Sequence, residues 1–273
     1  MANRKGIFVD LSNENMVHIK KDKIEYLQFK KLLEFENVIN CYTLSVNNVD
    51  FKRDYTEKHT DILNKSYEAI CEALRIRKDN IVRPHQTHSD NIEIVNELGN
   101  KYNNVDGLLT NKVNIDCVLT YADCTPILLY DPIKKVIGNI HSGWRGTVQK
   151  IGQKAALKMI KNYDAKPSDI IACIGPCIAK CHFEVSEDVK QIFEQVFRYL
   201  NRDCDIIKRA KEEGKYFIDT NLINRLILEE IGIKPENIYE SNICTVCNAN
   251  VIHSYRANKE NSGRNVAIIG LRR

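Results

Sequence analysis

The stretch "YADCTPILLYDPIKKVIGNIHSGWRGT", Tyr121 to Thr147, sets two apolar runs, "PILLYD" and "KVIGNI", on either side of a short polar turn. An apolar run of this length between turn signals reads as a strand covered on both faces. "NIEIV", "DGLLT" and "CVLTY" upstream, and "DIIACIG" and "NVAIIGLR" downstream, read the same way. Helical patterns interrupt them. "TDILNKSYEAICEALRI" places Ile62, Leu63, Tyr67, Ile70, Cys71 and Leu74 at helical spacing, with Thr60 or Asp61 as the expected cap. "TVQKIGQKAALKMIKNY" is a helix with Thr147 as its expected N-cap. "SEDVKQIFEQVFRYLN" starts at Ser186 beside two acids, and "DTNLINRLILEEIG" runs from Asp219 or Thr220 to a stop at Gly232. Strands and helices mix without strict alternation, so the expected fold is a layered α/β protein with mixed sheets.

At the N-terminal end, "KGIFVD" and "MVHIK" flank the turn-like "LSNEN" and predict a hairpin; "NVINCYTLSV" predicts a further strand. No repeat, low-complexity tract or Pro/Gly-rich linker interrupts residues 1–273, which predicts a single domain. The chain is 43% hydrophobic and 28% charged, enough apolar material for a core without covalent staples. Its net charge of +4 is too mild to point to nucleic acid or a membrane surface as partner. No apolar run approaches the roughly 18 residues of a membrane span, and the N-terminus does not read as a signal peptide. A cytoplasmic location is expected, with the ten cysteines reduced.

Three short segments gather unusual side chains at the ends of apolar strands: "RPHQTHSDN" with His85 and His88, "ADCTP" with Cys124, and "IHSGWRGT" with His141 and Arg145. One thiolate and two imidazoles make a three-ligand zinc set, the arrangement that leaves a coordination position open for chemistry. The spacing matches no zinc finger, and it leaves open a buried Cys with two hydrogen-bonded His. His85 and His88 are three apart, so in an extended segment only one of them faces Cys124. The same residues also suit a metal-free cysteine hydrolase, with Cys124 as nucleophile and His141 as base. Cys177, Cys181, Cys244 and Cys247 could form a four-thiolate zinc, but C-x-x-x-C is a loose spacing, and buried thiols are the preferred reading.

"QTH", "VDGLLT", "ADCTPILLYDP", "IHSGWRGT", "IGPCIAKCHFEV", "CT" and "SYR…GR" follow one another in an order that resembles the laccase-domain family. Its members are also called multicopper polyphenol oxidases and are now described as purine nucleoside phosphorylases. The resemblance runs from about Arg83 to Leu271. It implies an α/β/β/α arrangement similar to the catalytic domain of cytotoxic necrotizing factor toxins. It implies that His88, Cys124 and His141 hold the metal. It also implies zinc-dependent phosphorolysis of adenosine, inosine, guanosine and methylthioadenosine, with adenosine deamination; purine nucleosides and phosphate would be the partners. The older oxidase label would make the metal copper and the substrates phenols. The chain has 7 His in all, and one three-ligand site does not store the electrons that oxygen reduction needs. Two departures stand out. "CYTLSVNNVDF" lacks the Arg and glycines of the family's R-x-GGVS segment, and Ala257 replaces the second Arg of YRR. These departures keep a non-enzymatic binding protein among the alternatives.

The implied chemistry assigns further roles. Deamination needs a group that shuttles protons, and Glu184 in "CHFEV" is the candidate, with a role as orienter of a metal-bound His as the alternative. Phosphorolysis needs a cationic clamp, and Arg145 and Arg264 are the natural choice. Trp144 either stacks on a purine or plugs the site with apolar bulk.

Overall fold

The computed structural model of the chain describes residues 9–53, 56–200 and 205–273. The apolar runs build two six-stranded sheets. The first contains β1 (Met16–Lys20), β2 (Glu25–Phe29), β3 (Val38–Thr43), β4 (Ile81–Val82), β7 (Asp116–Tyr121) and β15 (Asn265–Leu271), in the order β1-β2-β3-β15-β7-β4. The second contains β5 (Ile92–Ile94), β6 (Gly107–Thr110), β8 (Thr125–Asp131), β9 (Val136–Ser142), β10 (Ile171–Ile174) and β14 (Ile238–Glu240), in the order β14-β10-β8-β9-β6-β5. Most pairs are antiparallel; β4–β7, β10–β14 and β5–β6 are parallel, so both sheets are mixed. A small third sheet joins β11 (Glu184–Ser186), β12 (Ile207–Arg209) and β13 (Lys215–Ile218).

Two-residue alternation along each strand splits its side chains between separate cores. On β15, Ala267, Ile269 and Leu271 face the core between the two sheets, while Val266 and Ile268 face outward. On β8, Leu128 and Tyr130 point between the sheets, while Ile127 and Leu129 point outward. The outer face of the first sheet is covered by α2 (Glu57–Leu74) through Tyr67, Ala69, Ile70 and Cys71. The outer face of the second is covered by α4 (Ile151–Tyr163) and α6 (Thr220–Glu230) through Ala155, Ala156, Met159 and Leu228. Helix, sheet, sheet and helix therefore form successive layers, which is why the strands read as continuous apolar runs. Short helices α1 (Lys30–Leu33), α3 (Trp144–Val148) and α7 (Tyr255–Asn258) cap loops, and α5 (Glu187–Phe197) packs on the third sheet. No helix among the described residues is long and apolar enough to cross a membrane.

A buried polar bridge joins the layers. Asn139 on β9 donates to the carbonyls of Cys117 (2.9 Å) and Ala267 (2.8 Å) on the facing sheet, and its Oδ1 accepts from the Tyr121 hydroxyl at 2.8 Å. Losing one such partner strands buried acceptors at about 1–3 kcal/mol each, so this bridge fixes how the sheets face one another.

Several local expectations change. β1 pairs with β2 through a turn at Lys21–Ile24; "KGIFVD" up to residue 8 lies outside the described residues. The first long helix begins one turn earlier than its pattern, with Thr56 accepting from the His59 N–H at 3.3 Å. Thr147 is not an N-cap. The predicted helix breaks at Lys150, which adopts φ +57°, and the buried Thr147 hydroxyl lies 2.9 Å from the Ser142 hydroxyl. Asp219 caps α6 as expected, accepting from the Leu222 N–H at 3.0 Å. In the departing segment "CYTLSVNNVDF", Asn47 and Asn48 take φ of +59° and +62°, backbone that asparagine tolerates better than other non-glycine residues.

Candidate active site

The central strands of the second sheet present their ends to one place. β6 begins after Asp106, β8 begins after Cys124, and β9 ends just past His141, which pairs with Pro126. The loop between β4 and β5 brings His88 onto the same end. One donor atom from each of His88, Cys124 and His141 lies within 4.8 Å of the others, and the two imidazole centroids are 4.9 Å apart. Gly143 makes room for them. A Cβ there would lie 2.9 Å from His88 Cδ2 and 3.2 Å from Cys124 Sγ, so a side chain would push the ligands apart. His85 is not in the group; its backbone is tied to Tyr102 and Asn103.

Asp106 organises the cluster, and the sequence reading assigned it no role. Its fully buried carboxylate accepts from the backbone N–H groups of Thr87 (3.1 Å), His88 (3.1 Å) and Ser89 (2.8 Å). It also accepts from the Ser89 hydroxyl at 2.7 Å and lies 2.8 Å from His141 Nδ1. This contact fixes the His141 tautomer and aims Nε2 at Cys124. It also holds the positive-φ turn at His88 (φ +61°). Burial alone would raise the Asp106 pKa, but His141 and the Ser89 bonds lower it further. Burial likewise opposes ionisation of Cys124, yet the charge of His141 and hydrogen bonds from both imidazoles bring its thiol below the ordinary range. His141 moves up in return: burial disfavours its cation, and Cys124 and Asp106 outweigh that. The signal for Asp106 was present in "VDGLLT", an acid opening a strand beside the His strand.

A soft thiolate with two imidazoles on a fixed scaffold suits zinc, and three protein donors rather than four leave one side open. All three residues line a cavity of about 490 Å³, within the roughly 300–1,000 Å³ of small-molecule sites. Arg145, Arg256 and Arg264 are on its lining. The Arg145 guanidinium lies over the Trp144 ring, 4.4 Å from its centroid. Arg264 donates to the carbonyls of Ser262 (3.2 Å) and Gly263 (2.8 Å), and Arg256 donates to the His182 carbonyl at 2.7 Å. Among the described residues none of these guanidinium groups is ion-paired with a carboxylate, so the lining is poised for an anion. Arg256 had no assigned role in the sequence reading. Trp144 is on the lining and also packs toward Phe193, with centroids 6.4 Å apart, so it is both wall and plug. Phe183 and the exposed Tyr255 add aromatic surface.

Glu184 falls elsewhere. It sits on β11 opposite Phe217, and it is not on the cavity lining. Successive residues alternate in direction, and Phe183 takes the inward position. The departing segment does not line the cavity either. It supports it from behind, where Asp50 accepts from the Arg264 N–H at 2.8 Å.

A family described as multi-copper polyphenol oxidoreductase laccase matches residues 45–272. The chain belongs to this family. Purine nucleoside phosphorylase YlmD of Bacillus subtilis is 30% identical over 225 residues, 79% of each chain. Adenosine deaminase RL5, from an unknown prokaryotic organism, is 34% identical over 200 residues, 70% of this chain and 75% of that one. The crystal structure of YlmD from Geobacillus stearothermophilus superposes with a TM-score of 0.84 at 25% identity, covering 97% of this chain and 100% of that one.

Proposed function

We propose that this laccase-family chain is a zinc-dependent purine nucleoside phosphorylase, acting on adenosine, inosine, guanosine and methylthioadenosine, that also deaminates adenosine. The observation that carries the reading is the convergence of a thiolate–imidazole trio and three guanidinium groups on one cavity. The names of the relatives, a phosphorylase and an adenosine deaminase, support it.

Zinc held by His88, Cys124 and His141 would supply a Lewis acid and a water that ionises near neutral pH. The residues do the rest. Arg145 and Arg264 bind phosphate through bidentate hydrogen bonds, with Arg256 beside them. Phosphorolysis joins a phosphate oxygen to C1′ of the ribose as the glycosidic C–N bond breaks, and the departing purine takes up a proton. The guanidinium groups orient the nucleophile and keep its charge compensated. Trp144, Phe183 and Tyr255 hold the base and keep bulk water off it. Deamination joins oxygen from water to C6, breaks the C6–N bond with release of ammonia, and needs no phosphate, so the two activities draw differently on the arginines.

Arg145→Ala and Arg264→Ala are accordingly expected to raise KM for phosphate by roughly ten-fold or more each, an effect of ~1.4 kcal/mol or more. Deamination should change much less. Steady-state rates with varied phosphate test this; equal loss of both activities would refute the clamp. A second reading, the metal-free cysteine hydrolase, draws on the lowered Cys124 thiol beside His141. Activity that survives complete removal of metal by a chelator would favour it. The same donors accept Cu2+, so metal analysis of the purified protein names the ion.

A further inference from the structure

We propose that Cys181, His182, Cys244 and Cys247 form a second metal centre, a closed structural zinc site that ties together two loops behind the active-site cavity. It shares no residue with the His88, Cys124 and His141 cluster, and it lies outside the activity inferred above. One donor atom from each of the four residues lies within 4.8 Å of the others.

Three of the donor–donor distances match the edges of a zinc tetrahedron, and a fourth is shorter. With zinc–sulfur bonds near 2.3 Å and zinc–nitrogen bonds near 2.0–2.1 Å, sulfur–sulfur edges come to roughly 3.8 Å and sulfur–nitrogen edges to roughly 3.6 Å. Cys181 Sγ lies 3.9 Å from Cys247 Sγ. His182 Nδ1 lies 3.6 Å from Cys244 Sγ, 3.6 Å from Cys247 Sγ and 3.1 Å from Cys181 Sγ. A single ring nitrogen forms one good hydrogen bond, so three sulfurs converging on it need a different reason. A shared cation supplies one. A disulfide does not, because an S–S bond is about 2.05 Å long.

The set differs from the one the Cys spacing offered. Cys177 is buried and turned to Asn221, 2.7 Å from its Oδ1, and His182 takes the fourth place. Cys3His is an established closed set for structural zinc. Cys181 and Cys247 are exposed, so an ion has access.

The two loops matter to the cavity. Cys181 and His182 lie between β10 and β11, directly before Phe183, and the His182 carbonyl holds Arg256. Cys244 and Cys247 follow β14, where Thr245 donates to Asp123 at 2.6 Å beside Cys124. Zinc here would fasten the wall without touching substrate. Four protein ligands leave no open position, so the role is structural rather than catalytic.

The test is the zinc content of the full-length protein, by plasma mass spectrometry and native mass spectrometry. Two zinc per chain are expected, with one remaining in Cys124→Ala, which leaves the second site intact. Cobalt substituted into Cys124→Ala should give the intense thiolate charge-transfer bands of a tetrahedral three-thiolate centre. Cys181→Ser/Cys247→Ser should lose one equivalent relative to wild type. If the first cluster binds nothing, wild type and Cys124→Ala will each hold one zinc, and this site still stands while the catalytic reading falls. Zinc lost completely on Cys124→Ala would overturn the proposal, as would a Cys181–Cys247 disulfide in zinc-free protein. Unchanged zinc in the double Ser variant would overturn it too.

Discussion

Cys124→Ala and His141→Ala are each expected to lose one zinc equivalent and to lower kcat/KM for adenosine phosphorolysis by on the order of 10³-fold or more, ~4 kcal/mol of transition-state stabilisation. Cys124 is the only sulfur in its cluster, and its thiol is already drawn toward the thiolate by two imidazoles. His141 is buried, and its ring is oriented by the Asp106 carboxylate. Neither can be replaced by a neighbour, since His85 is held away by its backbone bonds to the Tyr102–Asn103 segment. Metal analysis and product assays on the same preparations check the two losses together. A variant with full zinc occupancy at this cluster would refute the ligand assignment.

Asp106→Ala is expected to be the most destabilising single change near the site. It removes the acceptor for three backbone N–H groups, one hydroxyl and the His141 ring from a position with no solvent exposure. Breaking one partner of a buried charged pair costs about 3–5 kcal/mol. Loss of a carboxylate that orients a metal-binding His costs about 10–100-fold in metal affinity. Asp106→Asn keeps an acceptor oxygen but no charge, so it should fall between wild type and Ala on both scales. Denaturant unfolding and competitive zinc titration measure the two effects. Unaltered zinc affinity in a folded Asp106→Ala protein would show that Asp106 serves the loop and not the ligand.

The layered α/β architecture was legible because both faces of each central strand are covered. That produced uninterrupted apolar runs such as "PILLYD", whose alternate residues serve different cores. The third sheet was not legible. β11, β12 and β13 are three or four residues long and partly exposed, so they carry no period long enough to read. The break at Lys150 was hidden for a related reason: the apolar spacing continues across it, while the backbone turns through a left-handed residue. At the site, His88, Cys124, His141 and Arg145 were visible as unusual residues at strand ends, Arg264 entered through the family resemblance, and the fold brings all five to one cavity. Asp106 left only a weak local signal, an acid opening the strand in "VDGLLT", because its work is done by hydrogen bonds to residues 17–35 positions away. Glu184 looked suitable by residue type, but strand alternation turns its neighbour Phe183 inward instead. His182 escaped notice because Cys spacing drew attention to Cys177, whose thiol faces Asn221.

The most direct measurement is one assay on zinc-replete protein: adenosine with and without phosphate, products separated chromatographically. Adenine and ribose 1-phosphate formed only when phosphate is present are the expected result, with inosine in either buffer from deamination. Neither product in either buffer would contradict the proposed function.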